Sequence, residues 1–198
     1  MTQAPTHSLK ELPFLETARL VVRPWKFDDA PIIEKFVNDL DIARMASSIP
    51  YPYLPGSGFG FIACQQGALA RGHSYSFAIT LKGDHLPIGS IGVFKRSPGA
   101  FWEIGYWVAK AYWGQGIASE AGRAVLNWAN TTLNITMMVA GHFADNPASG
   151  RTLEKLGFAR ISDESVPMYS LAREGKAPGL MYVWPADKAP EVTLTALH

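Results

Sequence analysis

The fold is decided by Trp102-Glu-Ile-Gly-Tyr-Trp-Val108 and the residues after it, Ala-Lys-Ala-Tyr-Trp-Gly114-Gln-Gly116-Ile-Ala-Ser-Glu120. The first part predicts a buried strand, and the second predicts a glycine turn that leads into a helix. Gly114 and Gly116 can adopt backbone angles that other residues avoid, and the first N–H groups of the helix have no partner within it. Such N–H groups attract a phosphate, so the turn predicts a site for a nucleotide-like molecule.

Length and composition favour one domain with a sizeable core. The chain has 198 residues, of which 47% are hydrophobic and 18% are charged, and a single core commonly holds a chain of this length. We expect one domain over residues 14–185, with tails at 1–13 and 186–198. The net charge of +1 provides no basic face, so neither a nucleic acid nor a membrane is an expected partner.

The cysteine content and the length of the apolar runs indicate the cellular compartment in which the protein is expected to function. Cys64 is the single cysteine, so no intramolecular disulfide can form and a reducing compartment is favoured. Its apolar neighbours Phe61-Ile-Ala predict a small buried residue. The first residues lack a charged segment followed by an apolar core, and no apolar run approaches the roughly 20 residues that span a bilayer. We therefore expect a cytoplasmic protein, and no metal-ligand spacing is present.

Hydrophobic periodicity predicts a mixed α+β fold. Seven strands are predicted at 16–24, 75–81, 86–94, 101–108, 135–140, 158–161 and 180–184. About four helices are predicted, beginning near residues 28, 57, 117 and 146. Asp28 and Asp29 give the N-cap signal of the first helix, and Pro147 and Gly157 mark the first position and the stop of the last. The early strands should form an antiparallel meander, and the strand at 135–140 should lie beside the strand at 101–108, because it follows a helix and a crossover joins the two. Gly89 and Gly92 inside a strand indicate a bulge or a close approach of another chain segment.

Two familiar nucleotide motifs do not fit the glycine turn. A Walker P-loop requires a lysine that reaches the phosphates, and none follows the turn. A dinucleotide-binding turn requires a third glycine, where this chain has Ser119, and an acidic residue about 20 positions later, which is missing from the strand at 135–141. The strands before the turn are also predicted to be antiparallel.

The motifs instead resemble the GCN5-related N-acetyltransferase (GNAT) superfamily. The resemblance covers roughly residues 14–160 and rests on three motifs in order, which are Glu103–Ala121, Asp145-Asn146-Pro-Ala-Ser149 and Leu153-Glu-Lys-Leu-Gly157-Phe158. The opening Leu15-Glu-Thr-Ala-Arg19-Leu-Val-Val-Arg23-Pro24 is similar to the RimJ/RimL-like branch, which acetylates the N-termini of ribosomal proteins. One departure is Ala111, where the superfamily often has glutamine or arginine.

The resemblance implies that acetyl-CoA is the co-substrate and binds between two splayed central strands, with a central sheet of about seven strands flanked by about four helices. The main chain near Trp107 and Val108 would pair with the pantetheine arm, and Asn146 would hydrogen-bond it. The pyrophosphate would accept hydrogen bonds from backbone N–H groups of the turn and the first helical residues, which are Gly114, Gln115, Gly116, Ile117, Ala118 and Ser119. Asn146 is also expected to cap a helix.

Acetyl transfer from a thioester to an amine requires a neutral amine, stabilisation of the oxyanion and protonation of the leaving thiolate. Glu103 lies in an otherwise apolar strand and is the candidate base, although an outward-facing strand glutamate would look the same. The resemblance makes Ser149 the candidate proton donor to the thiolate, with water as the alternative, because the tyrosine of many superfamily members is replaced by Leu153. His142 has no ligand cluster around it and is expected to be structural.

The expected activity is direct transfer of the acetyl group from acetyl-CoA to a primary amine. The closest resemblance suggests a protein N-terminal α-amine as the acceptor. A small-molecule amine such as a polyamine, amino acid or aminoglycoside is the alternative, because one scaffold serves many acceptors. A non-catalytic CoA-binding regulator is a second alternative. A homodimer is possible, since similar proteins are often dimers.

Overall fold

We describe the protein from a computed structural model that covers residues 9, 11–95, 101–185, 187 and 188. Within this part of the chain one mixed sheet contains nine strands: β1 (Leu15–Glu16), β2 (Leu20–Pro24), β3 (Ser74–Leu81), β4 (Pro87–Lys95), β5 (Trp102–Val108), β6 (Met138–Phe143), β7 (Ala159–Arg160), β8 (Val166–Ser170) and β9 (Gly175–Trp184). The α-helices are α1 (Ala30–Val37), α2 (Leu40–Ala43), α3 (Ser57–Ala70), α4 (Ile117–Leu133) and α5 (Pro147–Lys155). The predicted α+β class is confirmed.

The strand order is β1-β2-β3-β4-β5-β6-β9-β7, and β8 pairs with β9. Neighbouring strands are antiparallel except for β5 and β6, which run parallel and are joined by the crossover helix α4. This confirms the predicted crossover. The sheet has more strands than the seven predicted because the first predicted strand is divided into β1 and β2, and because β8 was not foreseen.

The helices divide between the two faces of the sheet. On one face, α4 and α5 cover a large core that includes Ile104, Val125 and Leu153; we call this the α4 face. On the other face, α1 and α3 cover a smaller core that includes Ile33 and Ile62; we call this the α3 face. Because strand residues alternate between faces, each side chain of β5 belongs to one of these two environments.

The predicted close approach at Gly89 and Gly92 is confirmed. A β-carbon at Gly92 would lie 2.6 Å from the Tyr75 carbonyl oxygen, and one at Gly89 would lie 2.6 Å from the Trp107 carbonyl oxygen. Beside Gly89, the β3–β4 register shifts at Ile79 and Thr80. These glycines therefore permit β4 to pack tightly between its two neighbours.

We expect Gly92→Ala to lower the free energy of unfolding by about 1–3 kcal/mol, because the new methyl group meets rigid backbone. Urea denaturation measures the change. Gly60→Ala is the matched control, since a β-carbon at Gly60 on α3 would meet no described atom within 4 Å, and alanine favours a helix over glycine by up to about 1 kcal/mol. Equal stability of Gly92→Ala and the native protein would contradict the crowding shown at this position.

Two predicted side-chain placements differ from expectation. Asp29 precedes α1, but its carboxylate does not cap the helix; it is buried and bonds the Arg23 guanidinium at 2.8 Å through both oxygens. Pairing with a charge outweighs capping because a buried carboxylate without a counter-ion is costly. Cys64 is exposed rather than buried, because Gly58 and Ile62 form the buried face of α3.

Most residues of the two predicted tails, 1–8, 10, 186 and 189–198, lie outside the described residues. Leu12, which belongs to the predicted first tail, packs on the core of the α4 face. The division into one domain and two tails stays a prediction. No described helix combines the length and apolar character needed to cross a membrane.

Candidate active site

The site forms where β5 and β6 separate. The two strands pair only at Trp102 with Met138 and at Glu103 with Val139. Beyond these pairs β5 continues along β4 to Val108, and β6 continues along β9 to Phe143. Each strand therefore keeps its outer neighbour while the gap between the two widens, and we call this gap the split.

Main-chain polar groups of β5 face the split. The Ala109 N–H donates to the Ile88 carbonyl oxygen across the β4–β5 ladder. Because N–H and C=O groups alternate in direction along a strand, Tyr106 and Val108 turn theirs toward β6, whereas Trp107 turns its own toward β4. The Val108 carbonyl accepts from the Trp113 indole at 2.6 Å, so at Val108 the N–H is the group left to face the split.

A turn with two left-handed glycines lies beyond the end of β5. Gly114 and Gly116 have φ angles of 75° and 76°, and α4 begins at Ile117. Within the described part of the chain, no acceptor is found for the N–H groups of Gly114, Gln115, Gly116, Ile117, Ala118 and Ser119. Glycine permits this backbone because it carries no β-carbon, and the six donors form a cradle for an anion.

The cradle is suited to a pyrophosphate. Gly114 and Gly116 are exposed, so a ligand can reach the main chain. The positive end of the α4 dipole points to the same place. The guanidinium of Arg19 lies beside the turn, with Nη2 3.7 Å from where a Gly116 β-carbon would be. The residues present therefore fit the phosphate portion of a nucleotide-like substrate.

Glu120 fastens the start of α4 to the segment before β2. It accepts hydrogen bonds from the Thr17 hydroxyl at 2.6 Å and the Arg19 backbone N–H at 2.9 Å, and it pairs with the Arg19 guanidinium at 2.7 Å. Burial alone would raise the pKa of Glu120, but the bonds from Thr17 and Arg19 outweigh burial and lower the pKa below 4.5. The cradle helix is thus tied to the first strands of the sheet.

A lowered pKa in the folded state means that ionised Glu120 stabilises the protein above about pH 4.5, and that this stabilisation is lost as the pH falls through the folded-state pKa. We expect Glu120→Gln to lower the free energy of unfolding at pH 7 by at most about 1 kcal/mol, because solvent screens the pair. Urea denaturation at pH 7 and pH 3.5 should show the difference shrinking in acid. An equal difference at pH 3.5 and pH 7 would contradict the assigned stabilisation by ionised Glu120. Glu164→Gln, at an exposed position, is the control for the loss of one carboxylate.

The start of α5 lies across the split from the cradle. Asn146 caps this helix, with its side-chain oxygen accepting from the Ser149 N–H at 3.3 Å, and Pro147 occupies the first helical position. Both features were predicted. The helix ends before Gly157, which has a φ of 85°. Because α4 follows β5 and α5 follows β6, both helices begin beyond the carboxyl ends of the strands that line the split.

A hydroxyl pair joins β5 to α5 on the α4 face. The Tyr106 hydroxyl lies 2.9 Å from Ser149 Oγ and 3.2 Å from the Ser149 carbonyl oxygen. Burial raises the pKa of Tyr106 to about 12, and hydrogen bonds with Ser149 and Thr152 lower it only in part. Tyr106 was missed at the sequence level. Its period-2 position with Ile104 and Val108 could have placed it on this face, but its contact with Ser149 requires the crossover.

Glu103 occupies the opposite face of β5. It is half-buried, pairs across strands with Phe94 and Val139, and alternates with Gly105 and Trp107. Trp107 packs against the core of the α3 face, so Glu103 lies on that face as well. The split therefore separates the hydroxyl pair on one side of the sheet from a carboxylate on the other.

An ion pair from Lys110 and a bridging arginine, Arg173, link the ends of β5 and β6 to α2. Lys110, just after β5, pairs with Asp41. Arg173, in the β8–β9 turn, pairs with Asp145 at 2.8 Å and donates to the Arg44 carbonyl oxygen at 2.8 Å. Both sides of the split are thus connected to the same short helix. These contacts join residues far apart in sequence, and no local pattern indicated them.

His142 is buried, with Nδ1 2.8 Å from the Phe143 carbonyl oxygen and Nε2 3.5 Å from the Tyr182 hydroxyl, which agrees with a structural role. Leu153 is buried in the core. The described residues contain no group of three or more metal-ligand side chains. The roles predicted for Glu103, Ser149, Asn146, Trp107, Val108 and the cradle residues stay predictions.

Comparisons with known proteins are consistent with this site. The model of the acetyltransferase (GNAT) domain matches residues 19–159. The chain is 26% identical over 148 residues to an uncharacterized N-acetyltransferase, p20, of Bacillus licheniformis, covering 74% of this chain and 82% of p20.

Solved structures share the fold. A GNAT-family acetyltransferase from Bacillus anthracis has a TM-score of 0.71 and 23% identity, covering 86% of this chain and 97% of the other. RimL, described as a ribosomal L7/L12 alpha-N-protein acetyltransferase in complex with coenzyme A, has a TM-score of 0.74 and 17% identity, covering 88% and 99%. The family match over residues 19–159 confirms the predicted resemblance to the GNAT superfamily, and the solved structures confirm the predicted fold.

Proposed function

Since this chain belongs to the acetyltransferase (GNAT) family and is an acyltransferase by that membership, we propose that it transfers the acetyl group of acetyl-CoA to a primary amine by direct attack. The observation that carries the proposal is the split itself, which has a hydroxyl pair on its wall and, at its open end, six N–H groups that find no acceptor among the described residues. Such a gap can admit an extended thioester arm while the N–H groups hold its phosphates.

The donor side of the proposal uses the α4 face. The N–H groups of Gly114, Gln115, Gly116, Ile117, Ala118 and Ser119 hold the pyrophosphate of acetyl-CoA. The pantetheine arm lies in the split, where it contacts the main chain near Trp107 and Val108 and the side-chain amide of Asn146. RimL, a structure of the same fold, is described as a complex with coenzyme A, which supports this choice of donor.

The acceptor side uses the α3 face. Glu103 takes the proton from the attacking amine, either directly or through a water molecule, and its placement opposite the hydroxyl pair supports this division of roles. The amine nitrogen forms a bond to the acetyl carbon, and the C–S bond breaks with its electron pair passing to sulfur. The Val108 N–H polarises the thioester carbonyl. The Ser149 hydroxyl is the proton donor to the leaving thiolate.

We propose a protein N-terminal α-amine as the acceptor. The similarity of fold to RimL, whose name states action on a ribosomal protein, supports this choice. A small-molecule amine is the second candidate. The loop between α2 and α3, with exposed Tyr51 and Leu54, borders the α3 face and is where acceptor contacts are proposed. A cytoplasmic location, a homodimer and the single domain over 14–185 remain part of the proposal.

Thiol release from acetyl-CoA tests the function. The full chain is incubated with acetyl-CoA and a panel of peptides with free N-terminal amines, matched peptides with blocked N-termini, polyamines, amino acids and aminoglycosides, and the free thiol is followed with a chromogenic reagent. We expect release with free N-terminal peptides and none with blocked ones. Thiol release with small amines but not with peptides would show that the acceptor is a small-molecule amine rather than a protein N-terminus. Tight acetyl-CoA binding without any acceptor-dependent release would indicate a non-catalytic regulator.

A further inference from the structure

The contact between the Tyr106 and Ser149 hydroxyls suggests a role for Tyr106, which has none in the proposed function. Ser149 Oγ lies 2.9 Å from the Tyr106 hydroxyl, and this is the contact recorded for Ser149 Oγ among the described residues. The Tyr106 ring packs against the core of the α4 face, which fixes the phenol oxygen in position. The serine hydroxyl therefore has one defined neighbour on the wall of the split.

Each of these hydroxyls carries a single proton, and this limits the arrangements open to the pair. If Ser149 donates to Tyr106, the phenol donates instead to the Ser149 carbonyl oxygen at 3.2 Å, and the serine proton points to the phenol and is withdrawn from a substrate. If Tyr106 donates to Ser149 Oγ, the serine proton is released to point into the split. A sulfur atom that accepts from Ser149 selects the second arrangement, and a hydroxyl that accepts one hydrogen bond donates a stronger second one.

We propose that Tyr106 is a positioning residue for the leaving sulfur: its phenol donates to Ser149 Oγ and thereby directs and strengthens the Ser149 hydrogen bond to the sulfur of the donor thioester. This rests on the proposed acetyl transfer. In the reaction the C–N bond forms, the C–S bond breaks with its electron pair remaining on sulfur, and the surplus amine proton passes to Glu103. Tyr106 keeps its proton throughout, so no further reactant is needed.

The protonation state of Tyr106 agrees with this role. Burial raises the pKa of the phenol to about 12, so it remains protonated at every pH at which the enzyme would work. Free thiols of this type titrate near pH 8.5, and a phenol with so high a pKa is a poor source of protons for them. It is, however, a permanent hydrogen-bond donor.

Other polar and ionisable groups lie near Tyr106 and Ser149, and the variants used in the test leave all of them unchanged. Thr152 on α5 contacts the phenol, and its own hydroxyl donates to the Ala148 carbonyl oxygen. The ionisable groups on the surrounding elements are His142 on β6, Tyr182 on β9 and Arg160 on β7, which bonds Tyr182. Glu103 lies on the other face of β5, and Arg151, Glu154 and Lys155 lie on the exposed side of α5.

The test is a double-mutant cycle with Tyr106→Phe, Ser149→Ala and the double variant, and Tyr75→Phe as a control that removes a core phenol hydroxyl elsewhere. We expect Tyr106→Phe to lower kcat on the order of tenfold with little change in KM for acetyl-CoA. Ser149→Ala should lower kcat further. The double variant should match Ser149→Ala, because Tyr106 acts through Ser149.

A second measurement needs no turnover. The thiol of bound CoA is titrated by its thiolate absorbance in the ultraviolet in each variant. A hydrogen bond to the thiolate lowers the thiol pKa, so Tyr106→Phe and Ser149→Ala should each raise that pKa above its value in the native protein. Tyr75→Phe should leave both the pKa and kcat unchanged.

The outcomes separate the two proposals. If no amine is acetylated but the thiol pKa responds to both substitutions, the proposed function fails and the role of Tyr106 stands. If amines are acetylated and Tyr106→Phe changes neither kcat nor the thiol pKa, the role of Tyr106 is wrong and the function stands. Additive effects of the two substitutions on kcat would also overturn it, since Tyr106 would then act independently of Ser149.

Discussion

Acetyl-CoA should no longer protect the protein against heat once Gly116 is replaced by valine. Gly116 has a φ of 76°, which costs an ordinary L-residue roughly 1–2 kcal/mol and is worse for a β-branched one. If valine keeps this φ, the turn is strained; if it relaxes to a negative φ, the N–H groups of the cradle turn away from the ligand. Either response removes the convergent donors on which phosphate binding depends.

The size of the effect follows from linkage. A ligand at 100 times its Kd stabilises the native state by about 2.7 kcal/mol, which corresponds to a rise in Tm of about 5–10 °C for a chain of this length. We expect that rise for the native protein and almost none for Gly116→Val, measured by thermal unfolding with and without acetyl-CoA.

Gly83→Val is the matched control for this experiment. Gly83 has a φ of 81°, lies in the turn between β3 and β4, and has open space around it. The substitution introduces similar backbone strain away from the cradle, so Tm should fall while the shift caused by acetyl-CoA is retained. A full acetyl-CoA shift in Gly116→Val would show that the cradle is assigned wrongly.

Replacing Glu103 with glutamine should lower kcat by about 10²–10³-fold at pH 7, because general base catalysis commonly contributes 10²–10⁴-fold. Glutamine keeps the size and the hydrogen-bonding oxygen of the side chain but cannot accept a proton from the amine. Binding of acetyl-CoA should change little, since Glu103 lies on the α3 face and the cradle lies beyond the end of β5. Steady-state kinetics over a range of pH measure both effects.

The shape of the pH–rate profile gives the sharper evidence about Glu103. If this carboxylate is the base, the rise of kcat/KM on the acid side of the profile should disappear in Glu103→Gln. Glu154→Gln, at an exposed position on α5, controls for the loss of one negative charge and should leave the profile as it is. A Glu103→Gln protein with an unaltered profile would exclude Glu103 as the base.

Local rules predicted the parts of the fold in which one residue type has one conformational consequence. Gly116 marks the start of α4, Pro147 the start of α5 and Gly157 its end, because each position needs a special φ or has no N–H to donate. Strand β8 was not foreseen, since Val166-Pro-Met-Tyr-Ser170 contains a proline. The proline is tolerated there because, among the described strands, β8 pairs with β9 and with no other.

The candidate site was predictable where it depends on main-chain geometry and less so where it depends on long-range contacts. The cradle follows from Gly114 and Gly116 and the helix after them. The partnership of Tyr106 and Ser149 joins residues 43 positions apart, and no periodicity relates them. Asp29 had the local signal of a helix cap, but the buried guanidinium of Arg23 offered its carboxylate a stronger partner.

The links from Lys110 and Arg173 to α2 bear on the free energy of binding. Lys110 pairs with Asp41, and Arg173 joins the Arg44 carbonyl to Asp145, so the open ends of β5 and β6 are both linked to α2 by contacts within the protein itself. A gap that is already formed spends little conformational entropy when the donor enters it. Preorganisation of the split is therefore supplied by side chains that lie outside the sheet and need not touch acetyl-CoA.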